Sequence, residues 1–172
     1  MRFSWIYGTA AATALVLTAH GVLAKDISEK AARDEIVNMR DADPAMQKAF
    51  DKARKTLPDF LKKAANPADG TDNYALKVGL TDGRNTEYFW MADFEQKGEQ
   101  FTATLSNTPR LVRKYRGGEQ VTFSRGQIVD WLYIDEARGR MMGNFTACAL
   151  LTKESAKDAA AFKKQYGLSC DD

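Results

Sequence analysis

Three observations predict an α+β fold for this chain. An apolar stripe at helical spacing runs over residues 43–65, a central stretch alternates apolar and polar residues between turn dipeptides, and a capped helical segment lies near the end. Helix, then several antiparallel strands, then helix is the order of an α+β domain. The sheet is expected to be curved and antiparallel, with an SH3-like or partly open barrel as one form of it. An N-terminal helical segment packs it and a C-terminal helix closes it.

Asp43 has the side chain of a helix cap, and Pro44 suits the first helical position. Met46, Ala49, Phe50, Ala53 and Leu57 then recur on one apolar face. Pro58 lacks an amide hydrogen, so the helix is expected to end or kink there. Phe60, Leu61 and Ala64 resume the pattern until Asn66-Pro67 stops it. The charges opposite, among them Lys48, Lys52 and Lys63, read as a solvated face. Residues 68–73 read as a loop; their acidic spacing faintly resembles a calcium loop whose remaining motif is absent.

Tyr74, Leu76, Val78 and Leu80 alternate with Ala75, Lys77 and Gly79, the pattern of a half-buried strand. Asp82-Gly83 signals a hairpin turn. Residues 86–94 (TEYFWMADF) are aromatic on both faces and read as a central strand. Lys97-Gly98 turns into a strand over 101–105, and Gly117-Gly118 precedes another over 121–123. Residues 127–134 (QIVDWLYI) form a further strand, followed by a turn over 135–139 and Arg140-Met141-Met142. Gly143 to Leu151 is open between helix and strand. From Ser155 to Tyr166 a helix is clearer: Ser155 and Asp158 resemble a capping box, Gly167 sits at the far end, and Ala159, Phe162 and Tyr166 face inward.

Residues 1–24 read as a secretory leader. Arg2 is followed by an apolar run to Leu23, a short-residue cut site ends at Ala24, and polar Lys25-Asp26 comes next. Cleavage is expected after Ala24, with a periplasmic or secreted product and no stable membrane insertion afterwards. A retained anchor is the alternative, weakened by Gly8, Thr9, Thr13, Thr18, His20 and Gly21. Residues 25–42 read as an extension or linker, and 43–172 as one domain.

Removal of the leader takes Arg2 from the 25 basic residues, leaving 24 against 23 acidic ones and a formal net charge of +1. That balance gives no general attraction to nucleic acid. The single histidine, His20, leaves with the leader. A Ser or Cys nucleophile then lacks its usual base, and a zinc site lacks imidazole ligands. No cofactor and no metal are therefore expected. A carboxylate-pair hydrolase is the enzymatic alternative, because the separation of two carboxylates cannot be read from sequence. Cys148 and Cys170 read as a disulfide in an oxidising compartment, closing a loop of roughly 20 residues and contributing about 3 kcal/mol. Two free thiols are the alternative.

Two candidate contact surfaces stand out. Trp131 and Tyr133 share one face of a strand, with Asn144 nearby, and aromatics beside a polar neighbour suit peptide or sugar-like ligands. Burial of both in the core is the competing placement. Arg113, Lys114 and Arg116 cluster with Arg110 and Tyr115 in a loop, which is either simply solvated or in contact with anionic envelope components.

The stretch from Asp43-Pro44-Ala45-Met46 through Ala149-Leu150-Leu151 resembles the bacterial DUF2314 (YegJ-like) family of unknown function. The resemblance rests on residues 53–60 (ARKTLPDF), Lys77-Val78-Gly79-Leu80, Phe89-Trp90, 118–123 (GEQVTF), Asp130-Trp131-Leu132-Tyr133 and 142–146 (MGNFT). It leaves out the tail after Thr152, and Cys148 stands where the family often has a basic residue, which fits a bridge securing that tail. It implies the fold and the domain extent, and no activity. The function expected is an exported, non-enzymatic binding or accessory domain for a peptide, a protein or an envelope polymer.

Overall fold

The computed structural model describes residues 43–170, so the leader, its cut site and the 25–42 extension lie outside the described residues. Helix α1 spans Pro44–Ala65. Asp43 caps it, accepting a hydrogen bond from the Ala45 amide at 2.8 Å. Pro58 lies inside the helix and does not end it. The predicted apolar face is the buried one: Met46, Ala49, Phe50, Ala53, Leu57, Phe60 and Leu61. Apolar residues on both sides of Pro58 bury the helix continuously, and that tertiary packing outweighs the missing hydrogen bond.

Seven strands follow: β1 (Thr71–Asp82), β2 (Asn85–Ala92), β3 (Glu95–Lys97), β4 (Gln100–Thr104), β5 (Gln120–Ser124), β6 (Ile128–Asp135) and β7 (Arg140–Gly143). Helices α2 (Phe145–Leu151) and α3 (Ala156–Tyr166) complete the chain. The strands form two antiparallel sheets, in the orders β2-β1-β6-β7 and β3-β4-β5, and close no barrel among the described residues. An α+β architecture with a helix at each end is therefore what the chain adopts, without a closed barrel among the described residues.

Two strand placements differ from the sequence reading, for one reason. β1, not β2, is central, and every residue from Ala75 to Leu80 is buried. β2 pairs with β1 alone and alternates buried and half-buried positions. The aromatics of β2 suggested burial on both faces, yet the second face of β1 is covered because Lys77 finds a partner there. Part of the expected 68–73 loop is also strand. β1 begins at Thr71 and carries a register shift between Asp72 and Ala75, with Asn73 at φ 52°. The Asp82–Asn85 hairpin turns where Asp82-Gly83 placed it.

One core gathers Leu57 and Phe60 of α1, Leu76, Val78 and Leu80 of β1, Trp131 and Tyr133 of β6, and Phe101 and Phe123 of the second sheet. A smaller cluster joins Met46, Ala49 and Phe50 to Val129 and to Ala149 of α2. Gly143 is the hinge between β7 and α2. It has φ 80°, and a Cβ there would fall on the Trp131 carbonyl and within 2.6 Å of its indole ring.

Candidate functional site

Trp131 and Tyr133 are core residues, only 8% and 5% exposed. The Trp131 indole N–H donates into α1, to the Ala53 carbonyl at 3.2 Å and the Thr56 hydroxyl at 3.1 Å. Its ring stacks on Phe60 and meets Phe145 edge-on. Tyr133 stacks on Tyr74, and its hydroxyl accepts from Lys63 Nζ at 3.2 Å. Asn144 is also buried; its amide donates to the Trp131 carbonyl and its side chain to Met141 Sδ. These three residues do come together, but inside the molecule, so the strand surface the sequence offered is interior. The competing core placement is the one adopted.

Arg113, Lys114 and Arg116 lie elsewhere, exposed in the loop from Leu105 to Glu119 that joins β4 to β5. That loop is clamped. Glu87, buried on β2, accepts from the successive amides of Arg110, Leu111 and Val112 at 2.9–3.3 Å. Asp82 accepts from the Lys114 amide at 3.0 Å, and Glu119 from the Arg116 amide at 2.9 Å. Val112 is fully buried beneath the loop. Glu87, Asp82 and Glu119 thus each accept from backbone amides of the loop. Among the described residues, Arg113, Lys114 and Arg116 take part in no ion pair.

The most heavily built polar constellation went unread in the sequence. Lys77 of β1 and Asp130 of β6 are directly paired across the sheet, and both are buried. Thr146 joins them: its hydroxyl accepts from Lys77 Nζ at 3.0 Å and donates to Asp130 Oδ2 at 2.7 Å. Asp130 also accepts from the amides of Trp131, Phe145 and Thr146. It therefore serves as the cap of α2, a role the Asn144 side chain does not fill. Burial pulls the Lys77 ammonium down to about 8, against the opposing pull of Asp130. Burial likewise pushes the Asp130 carboxyl up, opposed by Lys77 and the Thr146 and Trp131 donors. Strand alternation put Lys77 on the face opposite Leu76 and Val78, which reads as solvent; no local signal marks the helix that covers it.

An open groove of about 740 Å³ runs between the start of α1, α2 and α3. Ala45, Ala49, Phe145 and Ala149 line it together with the Cys148–Cys170 bridge. Lys48 and Lys52 border it from α1, with Lys153 and Lys163 also lining it. The disulfide is formed, with Cα atoms 5.5 Å apart, and it staples the tail to α2. Among the described residues lining the groove, Asp43 is the one carboxylate; it is paired with Lys153 at 2.9 Å, which holds its carboxyl below the usual range.

Fold and site together define a small disulfide-stapled α+β domain with a clamped basic loop and a lysine-rimmed groove. The chain belongs to the DUF2314 family, described as an uncharacterized protein conserved in bacteria, whose model matches residues 43–170. It is 32% identical over 121 residues to the uncharacterized protein YegJ of Escherichia coli (strain K12), an alignment covering 68% of this chain and 76% of that protein. The match runs to Cys170 and so includes α3 and the tail, which the resemblance read from sequence left out after Thr152. No solved structure matches.

Proposed function

We propose that this protein is an exported, non-enzymatic binding domain whose contact surface is the clamped basic loop and whose partner is an anionic envelope polymer. One observation carries the reading: Glu87 and Asp82 hold the loop by its backbone, leaving Arg113, Lys114 and Arg116 exposed and, among the described residues, in no ion pair. A preset loop loses little conformational entropy when a polyanion binds it. Export is supported by the leader pattern of residues 1–24 and by the disulfide, a bond of oxidising compartments. No helix among the described residues is long and apolar enough to cross a membrane.

Cosedimentation with isolated cell-wall polymer tests the contact surface. Wild type is expected to pellet, and the triple variant Arg113→Glu, Lys114→Glu, Arg116→Glu to stay in solution while remaining folded. Equal pelleting of both proteins overturns the assignment. Intact mass of the native protein tests export: residues 25–172 less two hydrogens is expected, and a full-length mass with free thiols refutes it.

A further inference from the structure

The groove between α1, α2 and α3 is independent of the basic loop, and its chemistry is more selective. We propose that it is a second binding site, one that takes an acidic amphipathic helix from a partner protein. Three features of the groove point to that occupant.

The first is the lining. Ala45 and Ala49 from α1 and Ala149 from α2 are small, so an incoming backbone can approach closely. Phe145 and the disulfide supply larger apolar area. An apolar stripe of a partner helix, with anchors three and four residues apart, matches such a floor.

The second is the rim. Among the described residues, four lysines surround the floor against one carboxylate, that of Asp43. Lys48 and Lys52 are four residues apart on one helix, so acids at the same spacing on a partner helix can face both. Lys153 and Lys163 add charge from the C-terminal part of the chain. Acids flanking an apolar stripe therefore find cations from both α1 and the C-terminal segment. A single-headed amphiphile such as a fatty acid uses only one of these charges.

The third is the state of those lysines. Lys52 Nζ sits 4.9 Å from the Phe145 ring centroid, placed at the edge of the floor. Lys153 is paired with Asp43. Lys48 and Lys163 have no ion-pair partner among the described residues. Those two, together with Lys52, which is likewise in no ion pair among the described residues, are the charges left for a ligand to meet.

The test uses the oxidised protein and a labelled synthetic helix with leucines at helical spacing and glutamates on both flanks. Fluorescence anisotropy is expected to show saturable binding that weakens about tenfold when Lys48→Glu and Lys163→Glu are combined. The basic-loop triple variant should bind the peptide like wild type, so failure of one surface is not failure of the other. A second peptide of the same composition with scrambled leucine spacing should not bind. The proposal is overturned if the scrambled peptide binds equally, if charge reversal leaves the affinity unchanged, or if oleate saturates the groove while the helix does not.

Discussion

Replacing Asp130 by Asn should unfold this domain more readily than almost any other isosteric change. Asp130 is fully buried and accepts four hydrogen bonds, two at each carboxylate oxygen. An Asn amide keeps one oxygen and turns the other into a donor. Whichever way it is oriented, two of the four donors then face an N–H₂ group. Unsatisfied buried donors cost about 1–3 kcal/mol each, less whatever the Thr146 hydroxyl recovers by rotating. The same change also removes the counter-charge that the buried Lys77 ammonium faces through the Thr146 hydroxyl, an electrostatic loss that adds to that of the donors. These costs overlap, and a net loss of about 4 kcal/mol is expected, a large fraction of a typical domain's stability. Urea unfolding at neutral pH, followed by tryptophan fluorescence, measures it. The double variant Lys77→Met, Asp130→Asn removes both charges, so it should be no less stable than Asp130→Asn alone. A loss below about 1 kcal/mol for Asp130→Asn, or strictly additive losses in the double variant, would refute the reasoning.

The pH dependence follows from Lys77. It titrates at about 8 in the folded protein against 10.5 in the unfolded chain. Below pH 8 both states carry the proton and the folded state bears the cost of burying the charge. Between 8 and 10.5 the unfolded chain holds a proton the folded chain has released, so the Lys77 contribution to stability rises with pH, by about 3 kcal/mol in all. Unfolding free energies across this window should show that rise in wild type relative to Lys77→Met. Trp131→Ala should cost about 3–5 kcal/mol in the same assay, because the ring fills the core between Phe60 and Phe145; a folded variant of wild-type stability would return Trp131 to the surface. Gly143→Ala should lower the melting temperature sharply, since its Cβ collides with the Trp131 backbone and ring at a positive φ; an unchanged melting temperature would show that the β7–α2 turn relaxes freely.

Helices α1 and α3 were legible because their signals are local. Asp43, Ser155 and Gly167 act within one turn of the residues they cap, and all three do what their positions promise. The Asp82-Gly83 hairpin belongs to the same kind. What the sequence left unread depends on contacts far along the chain. Asp130 caps a helix that begins 15 residues later, and Lys77 meets Thr146 across 69 positions. Strand alternation ranks Lys77 as solvated and cannot see α2 arriving over it. Glu87 is the same case: it looks like a polar residue on a strand, and its work is to hold the amides of a loop more than 20 residues away. Lys48 and Lys52 of the groove were read as part of a solvated face because periodicity shows which side of α1 faces away from its own core, not what the C-terminal tail brings alongside it.

Helix α2 shows how the site depends on such remote contacts. Seven residues are too few to sustain a helix in water, so its position is set from outside. Asp130 holds its first amides, Phe145 and Ala149 pack against Trp131 and α1, and Cys148 is bonded to the tail. The same helix gives Phe145, Cys148 and Ala149 to the groove, whereas Ala159 and Lys163 come from α3, which the bridge retains. None of the α3 residues is buried. The two restraints should therefore fail separately. Cys148→Ser with Cys170→Ser should cost about 3 kcal/mol for a loop of this length and speed amide exchange first over residues 153–170, opening one groove wall. Asp130→Asn should instead speed exchange first over residues 144–151, loosening the floor. Hydrogen exchange on the two variants decides the matter. If both loosen the same segment, α2 and α3 form one cooperative unit, and the groove opens as a whole or not at all.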